Sequence, residues 1–142
     1  MLKIGVLGAG HLGKIHLRLL QQSEKYELVG FYDENLENGQ KIEKEFGYKQ
    51  FKTIATLIHA VDVIDIVTPT LSHFKCAKVA IKSGKHVFIE KPISNTVDEA
   101  LEIIALANEN NVKGQVGHVE RFNPAFIATK NMIENPMFIE AH

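Results

Sequence analysis

Short apolar runs alternate along the chain with longer segments whose apolar positions recur at helical spacing. Residues 2–7 predict a buried strand, and Leu12, Ile15, Leu19 and Leu20 predict one apolar face of a helix over 11–22. A second strand over 27–32 ends at Asp33, and a helix over 35–46 stops at Gly47, a suitable C-cap. A short strand over 49–51 and a helix over 53–59 follow. Residues 61–67 are the clearest strand, rich in β-branched side chains and bounded by Thr68 and Pro69. A helix over 70–82 closes at Gly84, and 86–89 form the next strand. Thr96 and Glu99 make a capping box that opens a helix to Asn110, and 112–116 are a sixth strand.

This alternation predicts an α/β chain with a doubly wound, mostly parallel sheet and helices on both faces. Right-handed crossovers between consecutive parallel strands lead to the expected strand order 3-2-1-4-5-6. After Gly117 the pattern changes: 124–135 read as a helix with Pro124 in its first turn, and 137–142 begin a strand. A chain that stops inside a strand lacking a later partner suggests truncation.

Composition narrows the class. The 142 residues are 45% hydrophobic and 23% charged, with a formal net charge of -1, as in an ordinary globular domain and not a nucleic-acid binder. Lys41 and Glu45 sit four apart and read as a solvated helix face. The single cysteine, Cys76, excludes an internal disulfide and a thiolate metal cluster; within an apolar helical stretch it reads as a buried, inert thiol. No apolar run approaches the ~20 residues of a membrane helix, and the start does not resemble a signal peptide, so the reducing cytoplasm is the expected compartment.

The candidate chemistry begins at Gly8-Ala9-Gly10-His11-Leu12-Gly13. G-x-G-x-x-G alone could be a plain strand-to-helix turn. Here it follows the first strand, opens a helix and precedes the acidic Asp33 at the end of the second strand, the arrangement of a dinucleotide site. Gly8 permits the turn, Gly10 clears room for a pyrophosphate, and Gly13 lets helix and strand pack closely. The amides of His11 and Leu12 face the phosphates, and Asp33 can accept two hydrogen bonds from an adenosine ribose. A carboxylate there repels a 2′-phosphate, and Glu34 and Asn35 offer no guanidinium, so NAD is favoured over NADP. Residues 1–120 are then expected to form an NAD(P)-binding Rossmann domain.

Glu90-Lys91-Pro92 leaves the fifth strand at its carboxyl end, the edge where open α/β sheets bind ligands. Alone it reads as a strand exit. Beside a dinucleotide, the Lys91 ammonium could hydrogen-bond a reacting hydroxyl and stabilise developing alkoxide charge.

Four features in order carry a family resemblance: the turn from Gly8 to Gly13; Thr68-Pro69-Thr70 with His73; Glu90-Lys91-Pro92; and Gly117-His118-Val119-Glu120-Arg121-Phe122-Asn123-Pro124. The chain resembles the first half of members of the glucose–fructose oxidoreductase / inositol dehydrogenase (Gfo/Idh/MocA) family, and its last residues look most like the nucleotide-sugar dehydrogenase branch. The resemblance implies that Lys91 is the active-site lysine between nicotinamide and the substrate hydroxyl. It implies that Glu90 helps hold the nicotinamide side, and that Thr68, Pro69 and Thr70 line the cofactor crevice with His73 nearby. His118, Arg121 and Asn123 would face a sugar or nucleotide-sugar substrate, and 121–142 would be the start of a truncated substrate domain. In the family a second domain supplies most sugar contacts, usually a histidine base, and the homo-oligomer interface. Without it, this piece is expected to bind cofactor but barely turn over.

No metal site is expected. His11 and His16 stand five apart and share no bidentate helix face, and His16, His59 and His86 read as surface or satisfied structural residues. Ser72 lacks a nucleophile elbow, and no Gly-Lys-Ser/Thr marks a P-loop. The alternative from another class is a non-catalytic dinucleotide-binding module, a redox sensor or interaction domain.

Overall fold

The computed structural model describes residues 1–129 and residue 140. Five parallel strands form one sheet: β1 (Leu2–Leu7), β2 (Tyr26–Tyr32), β3 (Val63–Ile66), β4 (His86–Glu90) and β5 (Gly114–Gly117). Their spatial order is β2-β1-β3-β4-β5. Helices α1 (His11–Gln21), α2 (Leu36–Phe46), α3 (Ile54–Ala60), α4 (Thr70–Lys82) and α5 (Val97–Glu109) supply the crossovers. A 3-10 turn (Val119–Phe122) and α6 (Pro124–Thr129) follow β5. The rest of the helix expected over 124–135, and the strand expected over 137–142, lie outside the described residues except for residue 140.

The strand expected over 49–51 is reduced to a single bridge, Gln50 against Phe31. Lys49 accepts from the Phe31 amide at 2.9 Å, and the Phe51 amide donates to Phe31 at 2.7 Å. Gly47 already ends α2 and Thr53 already caps α3, so too little chain remains for a ladder. Counting this bridge as the third strand, the order is 3-2-1-4-5-6. The capping box stands as read: Glu99 receives and returns hydrogen bonds with Thr96.

Alternating strand residues feed two cores. Val6, Ala9 and Phe31 pack with Leu17 of α1 and Ile42 of α2 on one face. Leu7, Ile64, Ile66, Val87 and Ile89 pack with α3, α4 and α5 on the other, where Cys76 is buried and burial pushes its thiol pKa up. The stripe read for α1 is displaced. Its buried residues are Gly13 and Leu17, whereas Leu12 and Leu19 are exposed. Leu19 and Leu20 instead wall a groove of about 630 Å³ on that face, running over the amino-terminal parts of β3, β4 and β5. No described helix is long and apolar enough to cross a membrane.

Candidate functional site

The turn between β1 and α1 is shaped by three glycines with different demands. Gly8 has φ 92°, and a Cβ on it would stand 2.8 Å from the Val67 carbonyl oxygen and 2.9 Å from the Thr68 nitrogen. The ends of β1 and β3 therefore touch, at the point where the strand order reverses and ligand crevices form. A Cβ on Gly13 would run into the Gly8 carbonyl oxygen, so only glycine lets α1 lie this close to its own turn. Around Gly10 nothing stands within 4 Å of the missing Cβ. Gly10 is also the N-cap of α1, no side chain caps that helix, and no acidic residue occupies its first turn. The amides opening the helix at His11 and Leu12 thus meet an open concavity with the positive end of the helix dipole behind it, a cradle suited to an anion.

Asp33 closes one side of this turn. Its Oδ2 accepts from the Ala9 amide at 2.7 Å and from Asn38 Nδ2 at 3.2 Å, and its Oδ1 accepts from the Asn35 amide at 2.8 Å. Asn38 also donates to the Ala9 carbonyl at 3.2 Å. A carboxylate has about four acceptor positions, so Asp33 retains room for one further donor and not the two expected from sequence.

Thr68, Pro69 and Thr70 leave β3 and start α4, with Pro69 at its N-cap. His73 packs against these residues. It is buried, with Nδ1 2.8 Å from the Pro92 carbonyl oxygen and Nε2 2.8 Å from that of Thr68. Both ring nitrogens are taken up in joining the β3 exit to the Glu-Lys-Pro turn, so the residue fastens the crevice wall from behind.

Glu90 ends β4 and is buried, while Lys91 is exposed and joined to Pro92 by a cis peptide. Glu90 Oε2 accepts the Lys91 amide at 3.1 Å. His16 of α1 reaches the same carboxylate, with Nε2 3.4 Å from Glu90 Oε1 and Nδ1 2.8 Å from Oδ2 of the buried Asp65. Burial opposes charge on His16, but the hydrogen bond it donates to Asp65 and the two carboxylate charges outweigh it and raise its pKa above the ordinary value. Burial also raises Asp65, against the pull of His16.

Lys91 opens into a cavity of about 360 Å³ bounded by His118, Val119, Glu120, Arg121 and Phe126. His118 and Arg121 therefore share this cavity with Lys91. Asn123 does not join them. Its amide donates to Glu120 at 2.8 Å and its Oδ1 accepts the Ala125 amide at 3.0 Å, which starts α6. The larger groove beside α1 lies along strand beginnings such as Leu2, Tyr26 and His86, so the smaller cavity at the carboxyl edge better matches where α/β sheets do chemistry.

Three residues of this neighbourhood escaped the sequence reading. His16, Asp65 and Asn38 act through partners remote in sequence or on another element. The one available signal was Asp65, a carboxylate in the middle of the β-branched run.

Residues 2–118 match the oxidoreductase family with an NAD-binding Rossmann fold, Gfo/Idh/MocA. The chain belongs to this family. Among Gfo/Idh/MocA relatives, it is 37% identical to UDP-N-acetylglucosamine 3-dehydrogenase of Acidithiobacillus ferrooxidans over 87% of the chain and 39% of that protein. It is 32% identical to glucose-6-phosphate 3-dehydrogenase of Bacillus subtilis over 95% of the chain and 37% of that protein. The solved structure of the Acidithiobacillus enzyme superposes with a TM-score of 0.86 at 34% identity, covering 93% of this chain and 43% of that one. The chain thus spans about two fifths of the length of these curated relatives. In this Gfo/Idh/MocA chain all four motif segments leave the sheet at its carboxyl edge.

Proposed function

We propose that this chain is the cofactor-binding part of a dehydrogenase that transfers hydride between NAD and a carbon bearing a hydroxyl on a sugar or nucleotide sugar. The observation that carries the reading is the open, uncapped cradle at Gly10 within reach of Lys91's edge of the sheet. Gly8, Gly10, His11, Leu12 and Gly13 hold the pyrophosphate, with helix amides donating to its oxygens. Asp33 takes a ribose hydroxyl on its remaining acceptor position, with the Asn38 amide beside it. Its carboxylate disfavours a 2′-phosphate, which supports NAD over NADP. Thr68, Pro69 and Thr70 border the crevice, and Glu90 orders the turn on the nicotinamide side.

Bound nicotinamide supplies the hydride acceptor or donor. Lys91 would hydrogen-bond the oxygen of the reacting hydroxyl and stabilise its negative charge as that hydroxyl gives up its proton and its carbon gives up hydride to the oxidised nicotinamide. His118 and Arg121 stand on the far side of the Lys91 cavity, where they contact the substrate. Residues 1–120 form the cofactor domain, and 121 onward begin the substrate side. Relatives more than twice as long support a further domain that provides most sugar contacts and a homo-oligomer interface, so the 142 residues alone bind cofactor with little turnover.

The test is Lys91→Ala in the full-length protein, assayed for sugar-dependent reduction of NAD. Turnover should fall about 100-fold or more while NADH affinity stays nearly constant, since the lysine acts chiefly in the transition state. Unchanged turnover would remove Lys91 from the reaction.

A further inference from the structure

Behind the Lys91 turn, on the α1 side of the sheet, three ionisable groups from three elements meet. Asp65 lies within β3 at 3% exposure, and its Oδ1 has no hydrogen-bond partner. The bond that Oδ2 accepts from His16 Nδ1 is therefore what offsets the cost of burying this carboxyl. The other ring nitrogen of His16 faces Glu90, and the ring meets the edge of Phe88 with centroids 6.0 Å apart. Gly117 of β5 completes the enclosure. A Cβ there would stand 2.6 Å from Glu90 Oε1, so the missing side chain is the space the carboxylate occupies. Glu90 is thus confined between α1 and β5, and its free oxygen holds the amide of Lys91.

We propose that His16 is a positioning residue for Lys91: by bridging Asp65 and Glu90 it fixes the carboxylate that holds the Lys91 amide, and so sets where the lysine stands. This rests on Lys91 being the lysine of the reaction site. The imidazolium can donate from both nitrogens, to Asp65 and to Glu90 together. A neutral ring has one N–H. If it keeps the shorter bond to Asp65, it turns a lone pair toward Glu90 Oε1, and the grip on Glu90 is lost. The groups facing the ring are Asp65 from β3, Glu90 from β4 and the Phe88 ring; Tyr26, His86 and Lys113 line the adjoining groove. The His16 pKa is raised, so the grip persists above its ordinary value of 6.5 and is released as pH climbs through the folded value.

The experiment uses the full-length enzyme with His16→Ala, His16→Gln and Lys91→Ala measured side by side. His16→Ala should lower kcat roughly 10- to 100-fold, the loss expected from misplacing a reacting group, with NADH Kd changed by less than about twofold. His16→Gln keeps an uncharged donor toward Glu90. It should restore most of kcat and erase the alkaline break that His16 puts in the wild-type pH profile. In a cycle with Glu90→Gln, the His16→Ala loss should overlap and not add. If His16→Ala does not fold, His16→Gln decides through the break alone. The positioning role is overturned if the break survives in His16→Gln, or if NADH affinity falls in step with kcat. Should those results come with a dead Lys91→Ala enzyme, only the positioning role fails; an active Lys91→Ala enzyme overturns the lysine assignment and this role with it.

Discussion

The carboxylate of Asp33 serves both the fold and the proposed cofactor site, and the two uses can be separated by measurement. Three protein donors already occupy it, two of them backbone amides of the glycine turn and of the α2 entrance. Removing it loosens the turn for any dinucleotide. It also deletes a charged acceptor for one ribose hydroxyl, worth about 1.5–3 kcal/mol, and relieves repulsion of a 2′-phosphate. Asp33→Ala should therefore weaken NAD far more than NADP, so that the ratio of the two affinities falls by about 10-fold or more. Isothermal titration with both cofactors checks this, and equal losses would leave Asp33 a structural role only. That an acid stands beside the glycine turn was legible from its place after the second strand. Its existing partners were not, because Asn38 and the Ala9 amide approach it only once α2 has folded back over the turn.

Side chains from three elements meet where α1 crosses toward β3 and β4, and there the sequence was least informative. Local periodicity found all five strands and the helices between them, since each signal is contained within a dozen residues. The partners of His16 belong to two other strands, and an α-helical histidine carries no mark of a carboxylate waiting beneath it. The same holds for His73: the resemblance implies a place near the crevice, but its two carbonyl partners, Thr68 and Pro92, come together only in the fold. The α1 cluster makes stability depend on pH with a definite sign. His16 is raised above 6.5, so its contribution is complete below that value and is lost as pH rises through the folded pKa. Asp65 is raised above 3.8 by burial, so the folded state keeps a proton that the unfolded chain releases, and stability again falls with rising pH. Urea midpoints should drop from about pH 6 to about pH 9, and His16→Gln should flatten that part of the curve. A slope identical to wild type would mean that His16 does not titrate between folded and unfolded states in this range.

Across the whole molecule, the sheet sorts its two ends. Strand beginnings carry a groove lined largely by apolar residues, whereas strand ends carry the glycine turn, Asp33, the Thr68-Pro69-Thr70 segment and Lys91. That sorting follows from parallel topology, because every strand delivers its carboxyl end to one edge. It was therefore available from the sequence once six strand signals and their crossovers were counted, although the third survives only as a bridge. The proposed cofactor would lie along this edge in two unequal halves. The adenosine and pyrophosphate half meets residues fixed by backbone, namely Gly8, Gly10, the α1 amides and Asp33. The nicotinamide half meets Lys91 and a cavity walled mostly by exposed residues after β5. Binding energy should accordingly concentrate in the first half. A ligand that binds only the folded state stabilises it by about 2.7 kcal/mol at a concentration one hundred times its Kd, which corresponds to roughly 10 °C in Tm for a domain of this size. In thermal unfolding of the 142-residue chain, ADP-ribose should raise Tm nearly as far as NADH at equal concentration. Nicotinamide mononucleotide should do little at that concentration. The reverse ranking would place the main contacts beyond β5, and no shift with either NADH or ADP-ribose at millimolar concentration would mean that the glycine cradle does not hold a dinucleotide.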